Sequence, residues 1–122
     1  MIVDDDHFLL DIYSLKFKTR GLDILTVDGS AQALDKIRAG ENPDIILLDI
    51  IMPTLDGLEL LKIIRDEKLV PSATIIMLTN QSDETEKAKA LGTDGYIVKA
   101  MTIPSEVVEA AEKIYMDNKK TK

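Results

Sequence analysis

The sequence of 122 residues contains no cysteine and a single histidine. Without cysteine there is no disulfide, no zinc–thiolate site and no thiol nucleophile, and one histidine cannot build a multi-histidine metal centre. The longest apolar runs, such as residues 45–48, are far shorter than the roughly 20 residues that cross a bilayer. These absences leave open a site for a hard cation that is built from carboxylate oxygens.

Basic residues are also scarce, with 15 Lys and Arg against 22 Asp and Glu and a formal net charge of -7. This balance argues against direct binding to a nucleic-acid backbone. The first three residues are followed by three aspartates, so the pattern of a secretory leader is missing, and we expect a cytoplasmic protein with no membrane insertion. The length fits one domain, which we place at residues 1–118, followed by a basic tail or truncated linker at 119–122.

Short apolar stretches of strand length alternate five times with longer stretches of helical period. The predicted strands are residues 1–3, 22–27, 44–49, 74–78 and 96–98. The first predicted helix spans residues 6–20, the second is capped by Ser30 and ended by Gly40, and the third runs from residue 55 or 56 to 64. The fourth spans residues 83–91, and the last begins at about residue 104 and frays from Asn118. The pattern is a repeated strand–helix unit.

This repeat predicts an α/β domain, because parallel neighbours in a sheet need crossover connections, and right-handed crossovers place helices on both faces. At this length we expect the flavodoxin-like (βα)5 three-layer sandwich, with strand order 2-1-3-4-5. The ligand crevice of such a sheet lies beyond the carboxyl ends of strands one and three, where the chain reverses direction across the sheet.

Polar residues stand at these strand ends. Asp4 and Asp5 follow the first strand, Asp49 ends the third, Thr79 follows the fourth and Lys99 follows the fifth. At about 5 Å and an effective dielectric of about 20, each pair of carboxylates repels by roughly 3 kcal/mol, so three together need a proton or a cation. Oxygen ligands without nitrogen or sulfur favour Mg²⁺, with Mn²⁺ as the alternative.

Lys99 and Thr79 beside a metal-bound carboxylate suit a phosphoryl group, and Asp49 suits its nucleophile, since Asp carboxylates form aspartyl-phosphate intermediates. Each residue also has a simpler explanation. Asp4 and Asp5 suit capping of the first helix, Lys99 suits a structural counter-ion, and Thr79 suits a strand end.

Four motifs carry a family resemblance: Ile-Val-Asp-Asp-Asp at residues 2–6, Leu-Leu-Asp-Ile-Ile-Met-Pro at 47–53 with Asp56-Gly57, Leu78-Thr79, and Gly-Tyr-Ile-Val-Lys at 95–99. In this order and spacing, nearly the whole chain resembles response-regulator receiver domains of the chemotaxis-regulator type, which act in two-component signalling and phosphorelays. The resemblance implies a domain that takes a phosphoryl group from a histidine kinase or phosphotransfer protein.

Residue by residue, the resemblance implies that Asp49 accepts the phosphoryl group. It implies that Asp5, Asp49 and the backbone carbonyl of Ile51 hold Mg²⁺, with Asp4 acting mainly through water. Such a domain catalyses its own aspartyl phosphorylation and dephosphorylation without being a turnover enzyme. The side chain of Ile51 cannot orient a hydrolytic water, so we expect slow hydrolysis.

The resemblance also assigns the switch. Thr79 and Lys99 would bind the phosphoryl oxygens, and Thr79 and Tyr96 would then move and change the surface formed by the fourth helix, the fifth strand and the fifth helix. That surface would bind a downstream protein or an effector domain. Ala100 departs from the family pattern, which has proline after the lysine, and we predict a trans Lys99–Ala100 bond because a cis bond before alanine costs about 3 to 4 kcal/mol.

Two other classes stay open from the sequence. One is a Mg²⁺-dependent phosphohydrolase with an Asp nucleophile, although the chain has no insertion that would form a substrate cap. The other is an interaction module that works without phosphorylation. The sequence decides neither the cognate kinase nor whether phosphorylation drives dimerisation.

Overall fold

Four helices and five strands are defined in a computed structural model that describes residues 1–50, 52, 55–79, 92–99 and 103–121. In chain order they are β1 (Ile2–Val3), α1 (His7–Lys18), β2 (Thr26–Val27), α2 (Ser30–Arg38), β3 (Ile45–Asp49), α3 (Gly57–Asp66), β4 (Thr74–Thr79), β5 (Gly95–Val98) and α4 (Pro104–Thr121). The predicted helix at residues 83–91 lies outside the described residues, so the last helix is α4 here.

The strands form one parallel sheet in the order β2-β1-β3-β4-β5. This is the predicted flavodoxin-like order, and the chain reverses direction between β1 and β3. In the register of the sheet, Asp49 pairs with Leu78, and the next residue of β4, Thr79, pairs with Val98 of β5. The carboxyl ends of four strands therefore meet at one edge.

Hydrophobic residues cover both faces of the sheet, as the aliphatic sequence of β3 predicts for a central parallel strand. On β3, Ile46 and Leu48 pack on the face covered by α2 and α3, and Leu47 packs on the face covered by α1 and α4. These three side chains are at most 1% exposed. Two hydrophobic clusters thus hold the central strand, and with it Asp49, in place.

Side chains cap the N-termini of α1 and α3 but not that of α2. Asp6 caps α1 by accepting from the backbone N–H of Phe8 and Leu9, and Asp56 caps α3 in the same manner. The prediction that Ser30 caps α2 is wrong, because Ser30 is the first residue of the helix and Gly29, in the capping position, has no side-chain acceptor. The Ser30 hydroxyl instead lies 3.9 Å from the sulfur of Met52, in the interior.

Two element boundaries differ by more than two residues from the expected ones. Strand β2 was predicted over residues 22–27 but forms only at Thr26–Val27, because β1 pairs with it only through Ile2 and Val3. The last helix continues to Thr121 instead of fraying at Asn118, whose side-chain amide donates to the Thr74 hydroxyl at 2.8 Å. That bond ties the end of α4 to the start of β4. The domain boundary after residue 118 stays a prediction.

Across the part of the chain that the structure describes, none of the helices combines the length and the apolar character that a membrane span requires.

Lys68, in the loop between α3 and β4, has a backbone φ of 55°, in the left-handed region. A side chain there costs about 1 to 2 kcal/mol, more than the entropy that glycine loses on folding. We expect Lys68→Gly to raise the free energy of unfolding by about 0.5 to 1 kcal/mol in urea denaturation. The control is Lys62→Gly inside α3, which should lower it by about 1 kcal/mol. A lower free energy of unfolding for both variants would contradict backbone strain at Lys68.

Candidate functional site

Two neighbouring strands bring the acidic residues together. Asp4 directly follows β1 and donates its backbone N–H to Val27 of β2, and Asp49 is the last residue of β3. Asp4, Asp5 and Asp49 each offer a carboxylate oxygen, and these oxygens lie within 4.8 Å of one another. Asp4 is 0% exposed and Asp49 is 5% exposed, whereas Asp5 is exposed. The predicted acidic cluster is therefore present in the fold.

Lys99 reaches this cluster from the opposite side, directly after β5. Its Nζ donates to Oδ2 of Asp4 at 2.6 Å and lies 3.4 Å from Oδ1 of Asp49. The other carboxylate oxygen of Asp4 accepts the backbone N–H of Asp6 at 3.0 Å. Asp4 thus has a partner at each oxygen, and the ammonium group lies closer to Asp4 than to Asp49.

Burial and charge shift the acid–base properties of this cluster. Burial raises the pKa of Asp49 from 3.8 to about 7, the charge of Lys99 opposes the rise, and the charge of Asp4 adds to it. Burial alone would lower the pKa of Lys99, but the hydrogen bond to Asp4 and the charges of both aspartates outweigh burial and raise it. The charge of Lys99 therefore does not fully offset the cost of burying the ionised Asp49 carboxylate, while Lys99 itself remains charged.

Thr79 and Tyr96 differ both in burial and in their position along the strands relative to the acidic cluster. Thr79 ends β4 and is buried, one residue beyond the partner of Asp49 in the sheet. Tyr96 pairs with Met77, two residues before the pair of Thr79 and Val98, and is 40% exposed. Thr79 therefore lies at the sheet edge that carries the aspartates, and Tyr96 lies further back along β5.

Two predictions from the sequence concern residues outside those that the structure describes. Ile51, whose carbonyl was predicted to hold the metal, lies outside the described residues. So does Ala100, and with it the predicted trans bond after Lys99.

The sequence did not foresee two features of the site. One is the choice of partner for Lys99: the sequence offered Lys99 as a counter-ion of the acidic cluster without singling out Asp4, to which it donates directly. The other is Tyr13 on α1, which is buried, and whose pKa is raised by burial, lowered by Lys99 and raised by Asp4. The sequence places Tyr13 at the apolar spacing of the first helix, and only the fold brings it near charged groups.

His7, the first residue of α1, is exposed to solvent. Its side chain is 76% exposed, and its Nε2 lies 3.3 Å from Oδ2 of Asp28. It is not a member of the group formed by Asp4, Asp5 and Asp49.

The donor set suits a hard divalent cation. All three side chains of the acidic cluster offer oxygen, and the exposed Asp5 opens the cluster to solvent. The combination of a carboxylate cluster and a buried lysine can neutralise an anion that carries several oxygens. The arrangement thus suits a divalent cation and an anion at the switch point of the sheet.

Comparisons with known proteins identify the family to which this fold belongs. Residues 1–112 match the family model described as "Response regulator receiver domain". Over 109 residues the chain is 35% identical to the alkaline phosphatase synthesis transcriptional regulatory protein PhoP of Bacillus subtilis, covering 88% of this chain and 44% of that protein. Over 110 residues it is 32% identical to the DNA-binding response regulator MtrA of Mycobacterium tuberculosis, covering 88% and 46%. The chain spans less than half the length of these relatives.

Solved structures are similar over almost the whole chain. A CheY-like response regulator receiver domain protein from Methanospirillum hungatei superposes with a TM-score of 0.86 at 26% identity, covering 99% of this chain and 95% of that one. The receiver domain of the Francisella response regulator 1452 gives a TM-score of 0.82 at 29% identity, covering 99% and 96%. With the family match, the shared fold and the acidic pocket at the sheet's switch point, the chain belongs to the response regulator receiver domains of two-component signalling.

Proposed function

We propose that this receiver domain accepts a phosphoryl group on Asp49, from a phosphohistidine of a histidine kinase or phosphotransfer protein, with Mg²⁺ bound in the acidic pocket. The observation that carries the proposal is the position of Asp49: a buried carboxylate that shares one pocket with two other carboxylates and with the ammonium of Lys99.

The chemical step transfers the phosphoryl group between two nucleophiles. An oxygen of Asp49 forms the new bond to phosphorus as the bond from phosphorus to the donor's imidazole nitrogen breaks, and the imidazole leaves with the bonding electron pair and takes a proton. Little covalent chemistry is needed from the protein, so catalysis is positioning and charge neutralisation. Lys99 supplies a fixed positive charge beside the acceptor oxygen, and Thr79 supplies a hydroxyl from the same sheet edge.

The metal would be held by Asp5 and Asp49, with the carbonyl of Ile51 as a further ligand. Asp4 is occupied by Lys99 and by the N–H of Asp6, which suits a role through water rather than direct ligation. Bound Mg²⁺, or Mn²⁺ in the same oxygen ligands, would offset the repulsion between the carboxylates and the incoming phosphoryl oxygens.

Phosphorylation would act on a two-state equilibrium. Thr79 would bind a phosphoryl oxygen, and Tyr96, which is 40% exposed, would move inward and change the surface made by β5, α4 and residues 83–91. A phosphoryl group shifts such an equilibrium only as far as it binds one state better. The changed surface would engage a downstream protein or effector domain, in keeping with relatives named as transcriptional and DNA-binding regulators.

Intact-mass measurement after incubation with acetyl phosphate and Mg²⁺ tests the acceptor. We expect the wild type to gain one phosphoryl group and Asp49→Asn to gain none, because the amide is not a nucleophile. Asp11→Asn, an exposed change on α1, is the matched control and should label like the wild type. Labelling of Asp49→Asn would contradict the assignment, and release of many equivalents of phosphate per protein would point to a phosphohydrolase instead.

Removal of the Asp5 carboxylate tests the metal site. Asp5 is exposed, so we expect Asp5→Ala to change the free energy of unfolding by less than about 0.5 kcal/mol. We expect the affinity for Mg²⁺, measured by titration calorimetry, to fall at least 10-fold, since a ligand is lost. Asp11→Asn should retain the wild-type affinity, and equal affinities for all three proteins would place the metal elsewhere.

A further inference from the structure

Gly57, the first residue of α3, lies against the main chain of Asp49. Its backbone N–H donates to the carbonyl oxygen of Ile50 at 2.8 Å. A Cβ atom added to Gly57 would stand 2.1 Å from the carbonyl oxygen of Asp49 and 2.9 Å from both the carbonyl carbon of Asp49 and the Cα of Ile50. The first turn of the helix therefore rests directly on the peptide that follows Asp49, with no room for a methyl group.

The requirement for glycine comes from this contact and not from backbone conformation, because Gly57 is not among the residues with positive φ. Gly95 offers a comparison. The three atoms nearest to a Cβ at Gly95 would all belong to the side chain of Ile114, at 2.9 to 3.3 Å, and a side chain can rotate or shift. At Gly57 the obstructing atoms are backbone, which cannot give way without moving an element.

The elements on both sides of this contact are held firmly. On the sheet side, the N–H of Ile50 donates to the carbonyl oxygen of Leu78 at 3.1 Å, which ties the end of β3 to β4. On the helix side, three residues of α3 are fully buried: Leu60, Leu61 and Ile64. A methyl group at position 57 must therefore displace either the end of β3 or the helix that rests on it.

We propose that Gly57 is a positioning residue for phosphoryl transfer: its bare Cα lets α3 seat on the main chain of Asp49 and fixes the acceptor carboxylate relative to Asp4 and Lys99. The inference rests on the proposed function of Asp49. Moving a Cβ from 2.1 Å to the ordinary contact distance of 3.4 Å from that carbonyl oxygen requires a displacement of about 1.3 Å. A misplacement of that size can slow a positioned reaction by about 100-fold.

The test compares Gly57→Ala with Gly95→Ala and the wild type in labelling by acetyl phosphate with saturating Mg²⁺. Rates are measured at a temperature where circular dichroism shows each protein to be folded. We expect Gly57→Ala to lower the maximal labelling rate by about 10- to 100-fold, with little change in the donor concentration that gives half the maximal rate. Gly95→Ala, which crowds Ile114 of α4 and lies on β5, two strands from β3, should stay within about twofold of the wild type even though it also loses stability.

A folded Gly57→Ala protein that labels at the wild-type rate would overturn the proposal, as would an equal slowing by Gly95→Ala. If Gly57→Ala does not fold, the labelling rate of Asp56→Ala decides whether the proposal stands. It removes the cap that Asp56 provides to Glu59 N–H at 2.8 Å and loosens the same helical turn without a clash. Slowing of several-fold would support the proposal, and an unchanged rate would overturn it. Absence of labelling in the wild type would instead contradict the proposed function itself.

Discussion

Lys99→Met is expected to lower the free energy of unfolding of the metal-free domain by about 3 kcal/mol at pH 8. The substitution retains an apolar side chain but removes the ammonium group that lies 2.6 Å from Asp4 and 3.4 Å from Asp49. Asp4, at 0% exposure, would then lose its counter-ion in the interior, where its other oxygen accepts the N–H of Asp6. A buried charge that loses its counter-ion costs several kcal/mol, which sets the expected loss.

Urea denaturation with a chelator present measures this effect. Arg38→Met is the control, because Arg38 pairs with Glu67 at 2.6 Å but both side chains are more than 40% exposed. Exposed pairs contribute at most about 1 kcal/mol, so the control should lose far less than Lys99→Met. Mg²⁺ should restore stability to Lys99→Met, since a cation that binds only the folded state stabilises it. Equal losses in the two variants would contradict a buried charge network.

The position of the acidic pocket could be predicted from the sequence because it follows from the topology of a parallel sheet. The aliphatic run in β3 indicates a central parallel strand, and parallel strands end at the same edge of a sheet. Residues that directly follow strands, such as Asp4 and Lys99, are therefore brought together by topology alone, even though they are 95 positions apart. Right-handed crossovers restrict the possible strand orders, and five repeats favour the flavodoxin-like order among those that remain.

The sequence could not predict which acid Lys99 contacts, because the choice between Asp4 and Asp49 depends on differences of about 1 Å in side-chain position. The contact of Gly57 with the Asp49 carbonyl was missed for a similar reason. The glycine is visible in the sequence, but the backbone that approaches it belongs to a strand eight residues earlier. Such distances follow from how α3 packs on the sheet and not from local pattern.

The stability of the metal-free domain is expected to fall as the pH rises from about 4 to about 7, because of Asp49. Its carboxyl group has a pKa of about 7 in the folded protein against an ordinary value of 3.8. Between these values the folded state holds a proton that the unfolded state has released, so raising the pH favours unfolding. The contribution is fully present below pH 4 and is lost above pH 7, and its size is on the order of 2 to 4 kcal/mol.

Asp49→Asn should remove this contribution, because the amide does not ionise. Unfolding in urea, measured at several pH values with a chelator, should show the variant gaining stability relative to the wild type between pH 4 and 7 and keeping a constant advantage above pH 7. Subtracting the two profiles cancels the titration of the other carboxylates, and Asp11→Asn should follow the wild type throughout. Parallel profiles for Asp49→Asn and wild type would show that Asp49 ionises normally. Saturating Mg²⁺ should weaken the dependence or reverse it, because the metal binds the ionised carboxylate that the empty pocket disfavours.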